Sequence, residues 1–230
     1  MNAKKLTRYI SQELLDGGAD LVGIGDISEL PPESRKHLPR GICVAVKYPK
    51  EVIQGIVDLP TQEYSDWYDT LNKRLDMLVV QGATALQQLG YTAIAQTRAV
   101  VGNGEEENNT DLPHKTVATR AGVRWIGKSA LLVTKKHGSM VRLSAILTDA
   151  PLIAAKPVDK SRCGNCMICT EACPAGAISG KNWEAGLYRD EFFDPVACRQ
   201  AARERSLQGL GITQTICGKC IAVCPYTKRA

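Results

Sequence analysis

The chain has 230 residues, of which 44% are hydrophobic and 23% charged. That composition is ordinary for a soluble globular protein, and the length allows one substantial core with a smaller second domain. A net charge of +5 is too mild to argue for nucleic acid by itself, and no stretch is long and apolar enough to suggest a membrane span.

At the N-terminus, Leu6, Tyr9, Ile10 and Leu14 recur at helical spacing, so a helix is expected over residues 6–16, ending at Gly17-Gly18. Glu13 and Asp16 interrupt the apolar residues, which fits an amphipathic helix and not a signal peptide. Short strands are expected over 21–24 and 42–46, the second stopped by Pro49. A long helix is expected from about Thr61 to Leu89. Tyr64, Tyr68, Leu71, Leu75, Leu78 and Leu86 give it one apolar face, and Gly90 follows it. A strand at 91–95 leads into a polar loop at 102–111 that holds Glu105, Glu106 and Glu107, which read as solvated. The Gly102-Asn103-Gly104 fragment reads as a turn. A short helix at 115–121 and a hairpin (130–134 out, a turn at 137–139, 140–147 back) complete this part.

Cysteine usage then changes abruptly. Residues 1–160 hold only Cys43, which sits in an apolar run and reads as core. The other eight cysteines follow residue 160. The break, near the connector at 151–160, suggests an α/β domain over 1–155 and a cofactor-stapled domain over 156–230. With no export signal, the chain is expected to be cytoplasmic, where grouped thiols mean metal or redox chemistry.

The spacing of the eight is specific. Cys163-x2-Cys166-x2-Cys169-x3-Cys173-Pro174 is one run, and Cys217-x2-Cys220-x3-Cys224-Pro225 is an imperfect second copy, with Cys198 displaced upstream. A cubane cluster needs four thiolates around a compact body, and two-residue spacers let a tight loop supply three of them. In two-cluster bacterial ferredoxins the fourth cysteine of each run serves the other cluster. Carried over, that pattern assigns Cys163, Cys166, Cys169 and Cys224 to one [4Fe–4S] cluster, and Cys173, Cys198, Cys217 and Cys220 to the other. Two such clusters would lower the net charge by about four units, to near neutral. Structural zinc is the competing reading, since paired C-x2-C units also build zinc sites.

A further signature precedes the cysteines. It runs Asp111-Leu112-Pro113-His114-Lys115-Thr116-Val117-Ala118, then Ala121-Gly122-Val123-Arg124-Trp125-Ile126-Gly127-Lys128-Ser129. With the double-cluster pattern after it, the chain resembles the epoxyqueuosine reductase family and, more distantly, reductive dehalogenases. The resemblance implies an α+β architecture: a nitroreductase-like α/β domain, then a 2[4Fe–4S] ferredoxin-like domain. It also implies an oxidoreductase in which the clusters feed electrons to base-off cobalamin. His114, Lys115, Trp125, Gly127 and Lys128 stand in the segment that would contact that cofactor. The catalytic group is unassigned, because the stretch where the family has an acidic proton donor here reads Gln96-Thr97-Arg98-Ala99. The family's C-terminal helical extension is missing after Ala230, so tRNA is not expected as a partner. An external donor of the flavodoxin or ferredoxin type is. Two other functions fit the same residues: a ferredoxin-like electron carrier without cobalamin, and a flavin-dependent reductase.

Overall fold

The computed structural model describes residues 1–101 and 110–230. The acidic loop and the Gly102-Asn103-Gly104 fragment therefore lie outside the described residues. The elements run α1 (Ala3–Asp16), β1 (Leu21–Asp26), β2 (Arg40–Lys47), α2 (Lys50–Gln54), α3 (Gln62–Gln88), β3 (Ala93–Ala95), α4 (Arg98–Val101), α5 (His114–Arg120), β4 (Trp125–Ile126), β5 (Leu132–Val133) and β6 (Val141–Thr148). Then follow α6 (Ile168–Glu171), a 3-10 turn at Arg189–Glu191, α7 (Pro195–Leu210), α8 (Lys219–Ala222) and α9 (Pro225–Lys228). Among the described residues no helix is long and apolar enough to cross a membrane.

The chain divides into two compact units, and the division does not fall at a single point. The first unit comprises residues 1–46, 71–124 and 142–158; the second comprises 47–70, 125–141 and 159–230. A single boundary near residue 155 would leave 47–70 and 125–141 with the first unit, but they pack with the cysteine-rich segment. Several contacts hold them there. Ser65 Oγ lies 2.8 Å from Gln214 Oε1, and the Ser139 N–H donates to Thr227 Oγ1 at 3.1 Å. A Cβ on Gly138, at φ +53°, would meet the Thr227 backbone at 2.3 Å. Only glycine allows that approach.

The first unit is built on a four-stranded sheet in the order β1-β2-β6-β3. β1 pairs antiparallel with β2, from Leu21 opposite Ala45 to Asp26 opposite Arg40. β3 pairs antiparallel with β6, Ala93 opposite Thr148. Residues 41–46 of β2 are all buried, so this strand is covered on both faces. Helix α1 forms for local reasons. Asn2 caps it by accepting from the Lys5 N–H at 2.9 Å, and Gly17 ends it. Its Leu6, Ile10 and Leu14 are fully buried, each stabilising the fold by roughly 1.5–3 kcal/mol.

The hairpin expected from residues 130–147 does not form. β5 pairs with β4, and β6 joins the four-stranded sheet between β2 and β3. A bridge between Thr134 and Gly138 is what remains of the expected turn. The physical reason lies in β6, where residues 144–148 are buried without alternation. A two-stranded ribbon would leave one face of that run in water, whereas an inner strand covers both.

Helix α5 packs on β1 through two glycines. A Cβ on Gly25 would lie 2.6 Å from the Ala121 nitrogen and the Arg120 carbonyl carbon; one on Gly23 would lie 2.7 Å from the Ala121 oxygen. Backbone atoms cannot move aside as a side-chain tip can. Gly25→Ala is therefore expected to destabilise the protein by about 1–3 kcal/mol, read as a lowered midpoint in thermal or urea unfolding. An unchanged midpoint would contradict this packing.

Candidate functional site

The second unit gathers the eight cysteines. Cys169 lies in the single turn of α6, Cys198 in the first turn of α7, Cys220 in α8, and Cys224 is the N-cap of α9. Each position has a local cause. Asp194 caps α7 by accepting from the Val196 and Ala197 N–H groups, with Pro195 opening the helix. Pro225 opens α9 directly after Cys224. Gly218, at φ +74°, turns the chain between Cys217 and α8.

The thiols fall into two sets. Burial pushes the Cys169 thiol up to about 11, and the next causes are the charges of Cys163, Cys224 and Cys166. Burial pushes Cys220 up still further, followed by the charges of Cys198, Cys217, Cys169 and Cys173. Cys169 thus neighbours Cys163, Cys224 and Cys166, while Cys220 neighbours Cys198, Cys217, Cys169 and Cys173, so Cys169 stands beside both groups. The Cys169 and Cys220 thiols, raised in this way, become thiolates only with positive charge beside them, which bound metal supplies.

Cys163, Cys166, Cys169, Cys220 and Cys224 line a cavity of about 280 Å³. Cysteines at two-residue spacing around such a cavity could hold a polynuclear [4Fe–4S] body.

Gly127 and Lys128 also line that cavity. A Cβ on Gly127 would stand 2.8 Å from Val133 Cγ2, so the absence of a side chain there lets the β4–β5 turn close on itself beside Cys163. Lys128 is 3% exposed, and its Nζ lies 3.4 Å from Met167 Sδ. Trp125 stands behind the wall. It is buried, packs edge-on against Tyr226 at 5.1 Å, and its indole N–H has no partner among the described residues.

His114 and Lys115 lie elsewhere, in α5 of the first unit. The segment singled out from sequence is therefore shared: 113–124 belongs to the first unit and 125–128 to the second. Lys115 is half-buried. His114 Nδ1 lies 3.0 Å from the Leu143 carbonyl. A carbonyl can only accept, so Nδ1 carries the proton and Nε2 presents a lone pair. That Nε2 is buried and has no partner among the described residues.

Two further buried polar side chains, tied like His114 to strand β6, were missed by motif reading. Asn72 Oδ1 accepts from Arg142 Nε at 3.0 Å and Nη2 at 2.7 Å, which leaves its Nδ2 buried and unpartnered. Gln96 is held by β6 through its main chain: its N–H donates to the Ala145 carbonyl, and its carbonyl accepts from Ser144 Oγ. Its Nε2 is likewise buried and unpartnered. Asn72, His114 and Gln96, each with one buried polar atom lacking a partner among the described residues, are thus all tied through other atoms to residues 142–145 of β6. Leaving each unpaired costs about 1–3 kcal/mol, so a ligand or water is called for. No spacing rule links residues 72, 96, 114 and 142, so the sequence offered no signal beyond a Gln where the resemblance led one to look for an acid.

Burial holds the His114 imidazole below its ordinary value, opposed by its bond to Leu143; Arg142 lowers it further and Asp76 raises it. A proton is then taken up by the unfolded chain before the folded one. Stability contributed here is present above about pH 6.5, the ordinary histidine value, and is lost as pH falls through the lower folded value. Urea unfolding between pH 7 and 5 should show this slope, and His114→Gln should flatten it. An equal slope in the variant would contradict the assignment. Cys43 plays no part in either site: it is fully buried in β2, where burial pushes its thiol up to about 12.

Comparison with known proteins agrees with the cysteine geometry. Residues 162–227 match the family model of a 4Fe-4S double cluster binding domain. The chain is 26% identical over 165 residues to the epoxyqueuosine reductase of Pseudomonas aeruginosa (72% of this chain, 42% of the relative). It is 31% identical over 130 residues to that of Bacillus cereus (54% and 32%), and 26% over 222 residues to that of Aliivibrio fischeri (87% and 53%). The chain thus spans about a third to a half of the length of these curated relatives. Among solved structures, an epoxyqueuosine reductase with a tRNA-Tyr epoxyqueuosine-modified stem loop superposes with TM-score 0.66 at 20% identity, covering 99% of this chain and 66% of that one. A catabolic reductive dehalogenase superposes with TM-score 0.69 at 18% identity, covering 95% and 31%. The class is an iron–sulfur protein of mixed α and β structure with a double-cluster segment. Within that class, the chain is similar to the epoxyqueuosine reductases over part of their length.

Proposed function

We propose that the protein is an iron–sulfur oxidoreductase that passes single electrons from two [4Fe–4S] clusters to a cofactor or substrate held in its first unit. The observation that carries this is the gathering of the eight cysteines in the segment that matches the double-cluster family, five of them on the wall of one cavity. Cys163, Cys166, Cys169 and Cys224 hold one cluster; Cys173, Cys198, Cys217 and Cys220 hold the other. The first unit is read as nitroreductase-like, and the second as a bacterial two-cluster ferredoxin module. The boundary is drawn by packing, with 47–70 and 125–141 in the cluster unit. A flavodoxin- or ferredoxin-type donor in the cytoplasm would supply the electrons.

Base-off cobalamin is the favoured acceptor. One solved dehalogenase that shares this fold is described with B12-dependent dehalogenation. The unpaired Asn72 Nδ2, Gln96 Nε2 and His114 Nε2 suit a ligand edged with amides, as cobalamin is. When bound, cobalamin would supply low-valent cobalt as a one- or two-electron reductant. The side chains named here would bind and orient it and exclude water. The relatives' name, and the stem loop held by one of them, support tRNA as a candidate substrate. They correct the expectation against tRNA drawn from the sequence.

Anaerobic titration with cob(II)alamin, followed by EPR, tests the acceptor. A base-off signal in the wild type, weakened in Asn72→Ala or His114→Ala, is the expected result. Absence of binding at concentrations well above the protein's would leave the ferredoxin-like carrier. Stoichiometric flavin in the purified protein would favour the flavin reductase.

A further inference from the structure

Lys128 presents an unusual energetic problem. Its side chain is 3% exposed, on the wall of the cavity formed by Cys163, Cys166, Cys169 and Cys224. Its ammonium has three donors, and the partner seen is a thioether, Met167 Sδ at 3.4 Å. Sulfur of that kind is a weak acceptor. Among the described residues no carboxylate forms an ion pair with it. An ammonium taken out of water without a counter-charge costs several kcal/mol. Such a group persists only where something anionic offsets the loss.

The cysteine set supplies that anion. Four thiolates around a cubane core of about +2 leave a net charge near −2, which one-electron reduction takes to near −3. We infer that Lys128 is the buried counter-charge of the cluster held by Cys163, Cys166, Cys169 and Cys224, and that it raises this cluster's reduction potential above that of the other. This rests on the reading that the set holds a cluster. Lys128 is then a positioning and tuning residue for electron transfer, acting through the cluster. The chemistry is balanced simply: one electron enters from the external donor, no bond breaks, and no proton need follow because the compensating charge is already in place. A cation stabilises the −3 state more than the −2 state, so its effect on the potential is upward. Its burial makes the effect strong, because little water screens it.

The test is an anaerobic redox titration with dithionite and mediators, followed by EPR, on wild type and on Lys128→Arg, Lys128→Gln and Lys128→Met. The neutral variants should favour reduction of one cluster at least tenfold less, about 59 mV lower for one electron. The other cluster should stay within a small fraction of that shift. Lys128→Arg should remain near the wild type. If the neutral variants lose that cluster while Lys128→Arg keeps it, the charge is needed to hold the cluster at all, which also supports the inference. Unmoved potentials with full iron and sulfide, equal shifts of both clusters, or loss of iron in Lys128→Arg as well as in the neutral variants would overturn it. A wild type without acid-labile sulfide would instead defeat the cluster reading, so the two failures are distinguishable.

Discussion

Cys169→Ser is expected to lower bound iron from about eight to about four atoms per chain, with an equal loss of acid-labile sulfide. Cys169 is at the centre of its set. It lies within the electrostatic reach of Cys163, Cys166 and Cys224, and its own charge acts on Cys220 of the other set. A serine oxygen is a harder, less polarisable ligand than thiolate, and the soft iron–sulfur core binds it poorly. The loss should extend to the fold. The second unit has four helical pieces of only four or five residues, α2, α6, α8 and α9, each too short to stand alone. Metal binding in such a module is part of its folding free energy, so removing one cluster should cost several kcal/mol. Thermal unfolding with iron release recorded in parallel would show a new early transition. Full iron retention in Cys169→Ser would remove this residue from the ligand set.

The second large effect concerns which cluster each distant cysteine serves. Cys224 lies 55 positions after Cys169 in the sequence, yet its charge is the second of the three thiol neighbours acting on Cys169. Cys173 lies four residues after Cys169, but its charge acts on Cys220. Cys224→Ala should therefore abolish the EPR signal of the cluster held by the 163–169 run. Cys173→Ala should abolish that of the cluster held by Cys198, Cys217 and Cys220. The crossing ties the two halves of the module together. Either mutation should consequently lower the stability of both halves, by more than an isolated surface cysteine would. If each mutation erased only the cluster of its own run, the crossed partition would be wrong.

Much of the first unit was legible because its signals are local. Leu6, Ile10 and Leu14 repeat at helical spacing before a Gly stop, and α1 ends where that pattern puts it, though it begins three residues earlier, at Ala3 behind the Asn2 cap. The apolar run at 42–46 became the buried centre of β2. The cysteine runs were legible for a different reason: cluster chemistry constrains spacing directly. What remained hidden depends on long-range packing. Residues 140–147 look equally suited to a hairpin or to an inner strand, and only the placing of β2 and β3 beside them decides. Lys50 and Ser65 carry no mark that they pack with the cysteine-rich segment, yet they bond to the Ala230 carbonyl and Gln214 there. Helix α7, whose apolar residues form no clear stripe, was passed over although Asp194-Pro195 is a strong start signal. Lys128 carries no sequence mark of its burial beside the cysteines, which only the packing of the β4–β5 turn reveals.

The central claim is that eight cysteines hold two cubane clusters. Iron, acid-labile sulfide and zinc, assayed together on anaerobically purified protein alongside its absorption spectrum, test it most directly. The expected result is about eight irons and eight sulfides per chain, with a broad brown absorbance that dithionite bleaches. Stoichiometric zinc with no labile sulfide would contradict it.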